Sequence, residues 1–232
     1  MSGNNGKSGK SGMLSRRQFS MLGVSAAALA VAGCAPDGSV GFSSALGYDA
    51  VPQLGTPERE PFQVPRVDMN RIPRQFHRQY VEQSGRYKPG TIVVDTANRH
   101  LYLIGEGNRA IRYGIGVGRA GFAWGGEAKI GRKATWPTWT PPAQMIQRDP
   151  SLRKWAGGME GGPRNPLGAR ALYLYKGGRD TLYRIHGTNE PLSIGQAMSS
   201  GCIRMLNTDV IDLYERVKIG TPVIVSQTGA IV

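Results

Sequence analysis

Short apolar runs separated by turn residues dominate the chain from residue 91 onward. Thr91-Ile92-Val93-Val94-Asp95 is a β-branched run, Ala97-Asn98 is turn-like, and His100-Leu101-Tyr102-Leu103-Ile104 is apolar and aromatic again. Two such runs with a tight connection predict a pair of strands. After a turn at Gly105-Glu106-Gly107-Asn108, Ile111 to Val117 predicts a third strand, in which Gly114 and Gly116 imply close approach of another backbone. Further strands are expected at Ala171 to Tyr175, Leu182 to Ile185 and Pro222 to Val225. One segment has convincing helical spacing: Val210, Leu213, Tyr214 and Val217 recur at i, i+3, i+4 and i+7. Asn207 or Thr208 is available as its cap, and Asp209 and Asp212 lie near the positive end of its dipole. The expected fold is mainly β, a curved or sandwich-like sheet with one or few short helices.

The stretch from Lys129 to Pro166, with its Trp-Pro and Gly-Gly clusters, reads as loop chemistry. A loop of this length inside a domain is expected to be a lid or binding loop. Trp136, Trp139 and Met145 would either line a cleft or pin that loop to the core. From Asp37 to about Lys88 the chain is rich in Pro, Gly and polar residues without sustained period, which predicts a tether over 35–88. Its last part, near Arg71 to Tyr80, could pack on the domain; His77 is read as a solvent-exposed linker residue.

Further upstream the pattern is that of an address. Arg16-Arg17, then Phe19, an apolar stretch from Met21 to Ala32, and Gly33-Cys34 make a secretory signal too short for a comfortable membrane span. The paired arginines look like the twin-arginine export pattern, although a Sec signal also carries basic residues. Val31-Ala32-Gly33-Cys34 resembles a bacterial lipoprotein box, which would make Cys34 a lipidated amino terminus; the alternative is a small-residue cleavage region that happens to contain cysteine. Residues 1–12 read as an upstream extension. The expected organisation is therefore a signal over 1–34, a tether over 35–88, a catalytic domain over 89–227 and a tail over 228–232. The expected location is the bacterial periplasm, with a lipid anchor in the membrane.

Composition narrows the partners. Lys and Arg outnumber Asp and Glu by 29 to 16 in 232 residues, an excess that suits an acidic polymer. The charge is thinly spread and no nucleic-acid motif accompanies it, so nucleic acid is not an expected partner. With Cys34 in the signal, Cys202 is the lone thiol of the mature part, too few for a disulfide framework or a cysteine metal site. No metal or cofactor is expected.

Chemistry concentrates in Ile185-His186-Gly187-Thr188 and Ser199-Ser200-Gly201-Cys202-Ile203-Arg204-Met205, with Asn207 close behind. Cysteine attacks as thiolate, and a nearby imidazole promotes ionisation and later hands the proton to a leaving amine. Cys202 follows His186 by sixteen positions, which permits the chain to return to the strand end. Gly201 allows a tight turn whose amides could hold an oxyanion. The carbonyl of Gly187 could fix the imidazole tautomer. Arg204 offers a planar fork for a carboxylate and a charge that favours the thiolate.

These two segments resemble the signature of the L,D-transpeptidase catalytic domain, also called the YkuD domain. Supporting similarity runs through Ile92-Val93-Val94-Asp95, Leu101-Tyr102-Leu103, Gly114 to Gly118 and Asn165-Pro166-Leu167-Gly168, and covers roughly residues 90–226. The resemblance implies a β-rich fold and a cysteine acyl-enzyme. It implies cleavage after the L-centre of a peptidoglycan stem tetrapeptide, loss of the terminal D-residue, and transfer of the acyl group to an amine of a neighbouring stem or of a lipoprotein. It also implies sensitivity to carbapenems. On matching positions Cys202 is the nucleophile, His186 the base and Gly187 its carbonyl partner, with Arg204, Ser200 and Gly201 around the substrate.

Two departures bear on substrate detail. Some members carry His or Arg where this chain has Ser200, and the Thr-Pro-x-Gly segment of many members is replaced by Lys129-Ile130-Gly131-Arg132-Lys133. Alternative readings are an L,D-carboxypeptidase of the same fold, a sortase-like transpeptidase, and a non-catalytic peptidoglycan-binding lipoprotein.

Overall fold

The computed structural model describes residues 60–118, 125–199 and 201–229. Arg16, Arg17, Cys34, the upstream half of the tether and Ser200 lie outside the described residues.

Ten strands are present among the described residues: β1 (Gln79–Glu82), β2 (Ile92–Asp95), β3 (His100–Ile104), β4 (Arg109–Gly118), β5 (Gly126–Thr135), β6 (Arg170–Lys176), β7 (Arg179–His186), β8 (Ala197–Ser199), β9 (Ile203–Met205) and β10 (Pro222–Ser226). Two α-helices accompany them, α1 (Ala143–Arg148) and α2 (Asn207–Arg216). The mainly β expectation stands, and all six strands expected from apolar runs form. The arrangement differs from a sandwich. The sheet runs β1-β4-β3-β2-β10-β5-β6-β7-β9, and β9 pairs again with β4, so the path from β4 to β9 closes on itself. Closure removes the exposed edges that an open sheet would leave.

Alternation along the strands explains the core. Ile92 and Val94, Leu101, Tyr113 and Ile115, Ile130, Leu172 and Leu174, Ile185, Ile203 and Met205 all turn inward, and α2 adds Val210 and Leu213 to the same cluster. Each fully buried aliphatic side chain contributes about 1.5–3 kcal/mol relative to exposure. A polar network reaches this interior: Tyr113 donates to Asp212 Oδ2 at 2.7 Å, and Asp212 also receives Arg216 at 2.9 Å and faces Arg78 at 3.3 Å.

Four expectations are corrected. The tether does not reach Lys88: the packing allowed for near Arg71 to Tyr80 occurs, and it begins earlier, since residues from Glu60 onward are fastened to the domain. Glu60 bonds Arg170 and Trp136, Phe62 meets the Trp136 ring edge-on, Phe76 is buried, and β1 pairs with β4. Gly114 and Gly116 make the close approaches expected of them; a Cβ at Gly114 would lie 2.3 Å from the Phe76 carbonyl, and one at Gly116 2.7 Å from that of Ser193. His77 is accordingly a half-buried brace, its Nε2 2.8 Å from the Ile72 carbonyl.

The supposed long loop begins later than expected, since Lys129 to Thr135 belongs to β5, and it contains α1 and a 3-10 turn over Pro150–Trp155. Trp136 pins it: the indole is buried against Ala169 and Ile211. Asn165, fully buried, donates from Nδ2 to the carbonyls of Pro137, Met159 and Glu160 and accepts from Leu167 N, tying the loop's two ends together. Finally, Asn207 does not cap α2, which starts after Leu206 without a side-chain cap.

Candidate active site

β7 and β9 run parallel, with Ile185 opposite Ile203 and His186 opposite Arg204. Both isoleucines are fully buried in the core, so the pleat turns His186 and Arg204 to the other face. Arg184 lies two residues before His186 on β7, on that same face, and Cys202 stands immediately before β9 in the bend after Gly201. The histidine thus ends β7 and the cysteine leads into β9, so the parallel pairing runs the two segments alongside each other.

His186 is buried, and its Nδ1 lies 2.6 Å from the Gly187 carbonyl. A carbonyl only accepts, so Nδ1 carries the proton and Nε2 is left with its lone pair. Burial, with the charges of Arg204 and Arg184 and against the pull of the Gly187 carbonyl, brings the imidazole pKa down to about 4. The ring is neutral at pH 7 and available as a base.

Cys202 is half-buried and in no disulfide. Its Sγ lies 4.0 Å from the Leu182 carbonyl, which accepts from the thiol. Leu182 sits in a bulge of β7, where the register against β6 shifts between Tyr173 and Tyr175, and has φ of +64° although its side chain is 75% exposed. Such a conformation is unfavourable for a branched residue, and it aims the carbonyl across to the thiol. Burial pushes the thiol pKa up, against a backbone hydrogen bond from Arg184 and the charges of Arg184 and Arg204. At rest the thiol and the imidazole are both neutral, although the charge of Arg204 favours the thiolate.

Gly201, just before the thiol, has φ of +127°, a conformation that favours glycine, and lies against the Tyr183 ring. Arg204 is not an open fork: its Nη1 holds Glu190 Oε2 at 2.7 Å. Glu190 also borders a cavity of about 500 Å³ whose lining includes Arg66 and Arg71.

Sequence reasoning passed over four residues here. Arg184 could have been found by counting two back from His186 on a strand. It chelates Asp180 and stacks on Tyr173, whose ring also meets Arg132. Leu182 and Glu190 carry no sequence signal for their roles, since one acts through a bulge and the other through a loop. Asn207 belonged to the motif but was read as a cap. Its Oδ1 accepts from Ala169 N at 3.0 Å and Thr188 N at 3.2 Å, and its Nδ2 donates to the Thr188 carbonyl at 2.9 Å.

Residues 89–225 match the model of a family described as the L,D-transpeptidase catalytic domain, YkuD. The chain is similar to the "Probable L,D-transpeptidase YbiS" of Escherichia coli, 39% identical over 57% of this chain and 43% of the relative. It is also similar to the "Probable L,D-transpeptidase ErfK/SrfK" of the same organism, 37% identical over 57% of this chain and 42% of the relative. The chain thus spans less than half the length of these relatives. Among solved structures, a protein from Brucella melitensis described as a "Probable carnitine operon oxidoreductase caia" is 50% identical, with 66% of this chain and 96% of that chain covered and a TM-score of 0.47.

Proposed function

Since the chain belongs to the L,D-transpeptidase catalytic domain family, we propose that it is a cysteine-dependent peptidoglycan transpeptidase in which Cys202 and His186 form and resolve an acyl-enzyme. The observation that carries this reading is the Nδ1–H to Gly187 carbonyl bond, which leaves the Nε2 lone pair as base at the end of β7, next to the strand that Cys202 leads into.

Cys202 Sγ attacks the carbonyl carbon of the donor stem's L-centre while Nε2 of His186 takes the thiol proton. The oxyanion that develops is met by amides of the turn at Gly201. As the intermediate collapses, the C–N bond breaks, the proton passes from Nε2 to the departing amine of the terminal D-residue, and a thioester remains. An acceptor amine then attacks the thioester, loses a proton to Nε2 and regenerates the thiol. An amine of a neighbouring stem gives a crosslink, an amine of a lipoprotein gives an attachment, and water gives a carboxypeptidase.

Incubation with a disaccharide tetrapeptide and mass analysis tests this. The expected result is a thioester on Cys202 and a product larger than the donor. Hydrolysed tripeptide alone would make the protein a carboxypeptidase, and no acyl-enzyme would make it a binding protein.

The same reading places the protein in the periplasm, held to the membrane through lipid on Cys34, and Val31-Ala32-Gly33-Cys34 motivates it. Replacing Cys34 by Ser should release the mature protein from membranes. Unchanged association would remove the anchor.

A further inference from the structure

The geometry points to Asn207 as the positioning residue that sets the tautomer of His186, acting through a single peptide group. The assignment deepens the reading of His186 as the base.

The peptide linking Gly187 to Thr188 is engaged from both sides. Its carbonyl accepts from His186 Nδ1 at 2.6 Å, and its N–H donates to Asn207 Oδ1 at 3.2 Å. A peptide unit is planar and trans, so its C=O and N–H point in opposite directions and turn together. Holding the N–H therefore holds the carbonyl against the imidazole. A rotation that broke one bond would break the other.

The amide of Asn207 is itself fixed. Oδ1 also accepts from Ala169 N at 3.0 Å, and Nδ2 donates to the Thr188 carbonyl at 2.9 Å. Flipping the amide would set its NH2 against two N–H donors, so the orientation follows from the network. The sequence also clears the space. A Cβ at Gly168 or at Gly187 would lie 2.2 Å from Asn207 Oδ1, so a side chain at either position would displace the amide. Gly187 contributes a second need for the brace, because glycine leaves the peptide plane freest to rotate. Asn207 stands at the start of α2, beside the core residues Val210 and Leu213, which gives the amide a rigid mount.

Without the brace the Gly187 carbonyl turns away and Nδ1 loses its acceptor. The imidazole then relaxes toward the form protonated at Nε2, which cannot take the proton of Cys202. Asn207 touches neither thiol nor substrate in this account; it acts through the backbone.

Nitrogen-15 NMR of the full chain labelled at histidine reports the tautomer directly. Wild type should have Nδ1 protonated in His186. Asn207→Ala should shift the population toward Nε2 protonation and slow acylation of Cys202 by a carbapenem at pH 7 at least about tenfold. Alkylation by iodoacetamide at alkaline pH, where hydroxide takes the proton that the imidazole otherwise takes, should stay at the wild-type rate. Asn207→Asp keeps both acceptor contacts to Thr188 and Ala169 and should keep the Nδ1-protonated form. If Asn207→Ala fails to fold, Asn207→Ser leaves a hydroxyl one bond short of the Thr188 amide and should give the same shift. A folded Asn207→Ala or Asn207→Ser protein that retains the wild-type tautomer overturns the assignment. The tautomer is read without turnover, so a wild-type protein inactive on tetrapeptide would count against the enzymatic reading alone.

Discussion

Glu190 Oε2 and Arg204 Nη1 meet at 2.7 Å, so the guanidinium beside the reactive pair already holds a carboxylate supplied by the chain itself. The glutamate side chain is 60% exposed and the arginine 20%, an asymmetry that leaves Glu190 the easier partner to displace. A donor carboxylate arriving at Arg204 would compete with it. Glu190→Gln should lower KM for the tetrapeptide about threefold with kcat little changed, as expected for an exposed pair. Arg204→Lys keeps the charge but loses the fork, and kcat/KM should fall about tenfold or more. Steady-state kinetics on both variants decides; an unchanged KM in Glu190→Gln would mean that Arg204 does not receive the donor.

The low imidazole pKa fixes the acid limb of the pH profile. His186 stays unprotonated down to about pH 4, so kcat/KM should hold its value well below pH 6 and fall only near 4. His186→Ala should lose most activity at neutral pH and regain part of it at alkaline pH, where the thiol ionises without help. A wild-type limb centred near 6.5 would contradict a buried, neutral base.

Two buried groups pull stability in opposite directions as pH changes. Below pH 6.5 the unfolded chain takes up a proton at His186 that the folded chain refuses until about pH 4, so acidification through that window destabilises. Asp209, buried and close to Asp212 with Arg78 as counter-charge, has its carboxyl pushed up to about 7. It keeps a proton in the fold that the unfolded chain releases above about 3.8, and the stability it contributes is lost as pH rises through 7. Asp209→Asn should raise Tm at pH 8 by a few degrees and make the loss of stability between pH 6.5 and 4 steeper. Thermal denaturation at pH 5 and pH 8 would test it, and a lower Tm at pH 8 would show that the Arg78 pair outweighs the burial cost.

A strained lactam offers Cys202 the same acyl carbon as the donor peptide. Incubation with a carbapenem should therefore add its mass to the peptide that carries Cys202. Cys202→Ser should form no such adduct and transfer no acyl group, because a hydroxyl is a far weaker nucleophile beside a base matched to a thiol. An adduct on another residue would displace Cys202 from its role.

What could be read from the chain follows a physical division. Strands written as short β-branched or aromatic runs between turn residues, such as Ile92–Asp95 and His100–Ile104, announce themselves, as does the apolar spacing of α2. β5 was passed over because Gly126–Thr135 carries lysine, arginine and glycine on an outward face, and only its pairing with β6 and β10 makes it a strand. β9 has three residues, too few for a pattern, and is held by β7 and β4. In the site, Cys202 and His186 are visible because their chemistry depends on residue type, and Gly187 because it follows the histidine directly. The roles of Leu182 and Asn207 depend on where a backbone carbonyl or amide points, which residue type does not encode.

The fastening of residues 60–82 has a consequence for modularity. The family match begins at residue 89, yet a cut there would remove Arg78 from Asp209 and Asp212, Glu60 from Arg170, and the Phe76 ring that fills the space over Gly195 in the loop between His186 and Cys202. A buried acidic pair would lose a counter-charge, and the reactive loop would lose its floor. In a chimera, the portable unit is the domain together with this upstream strap, and a graft drawn at the family boundary would carry the reactive residues without the scaffold that keeps them in register.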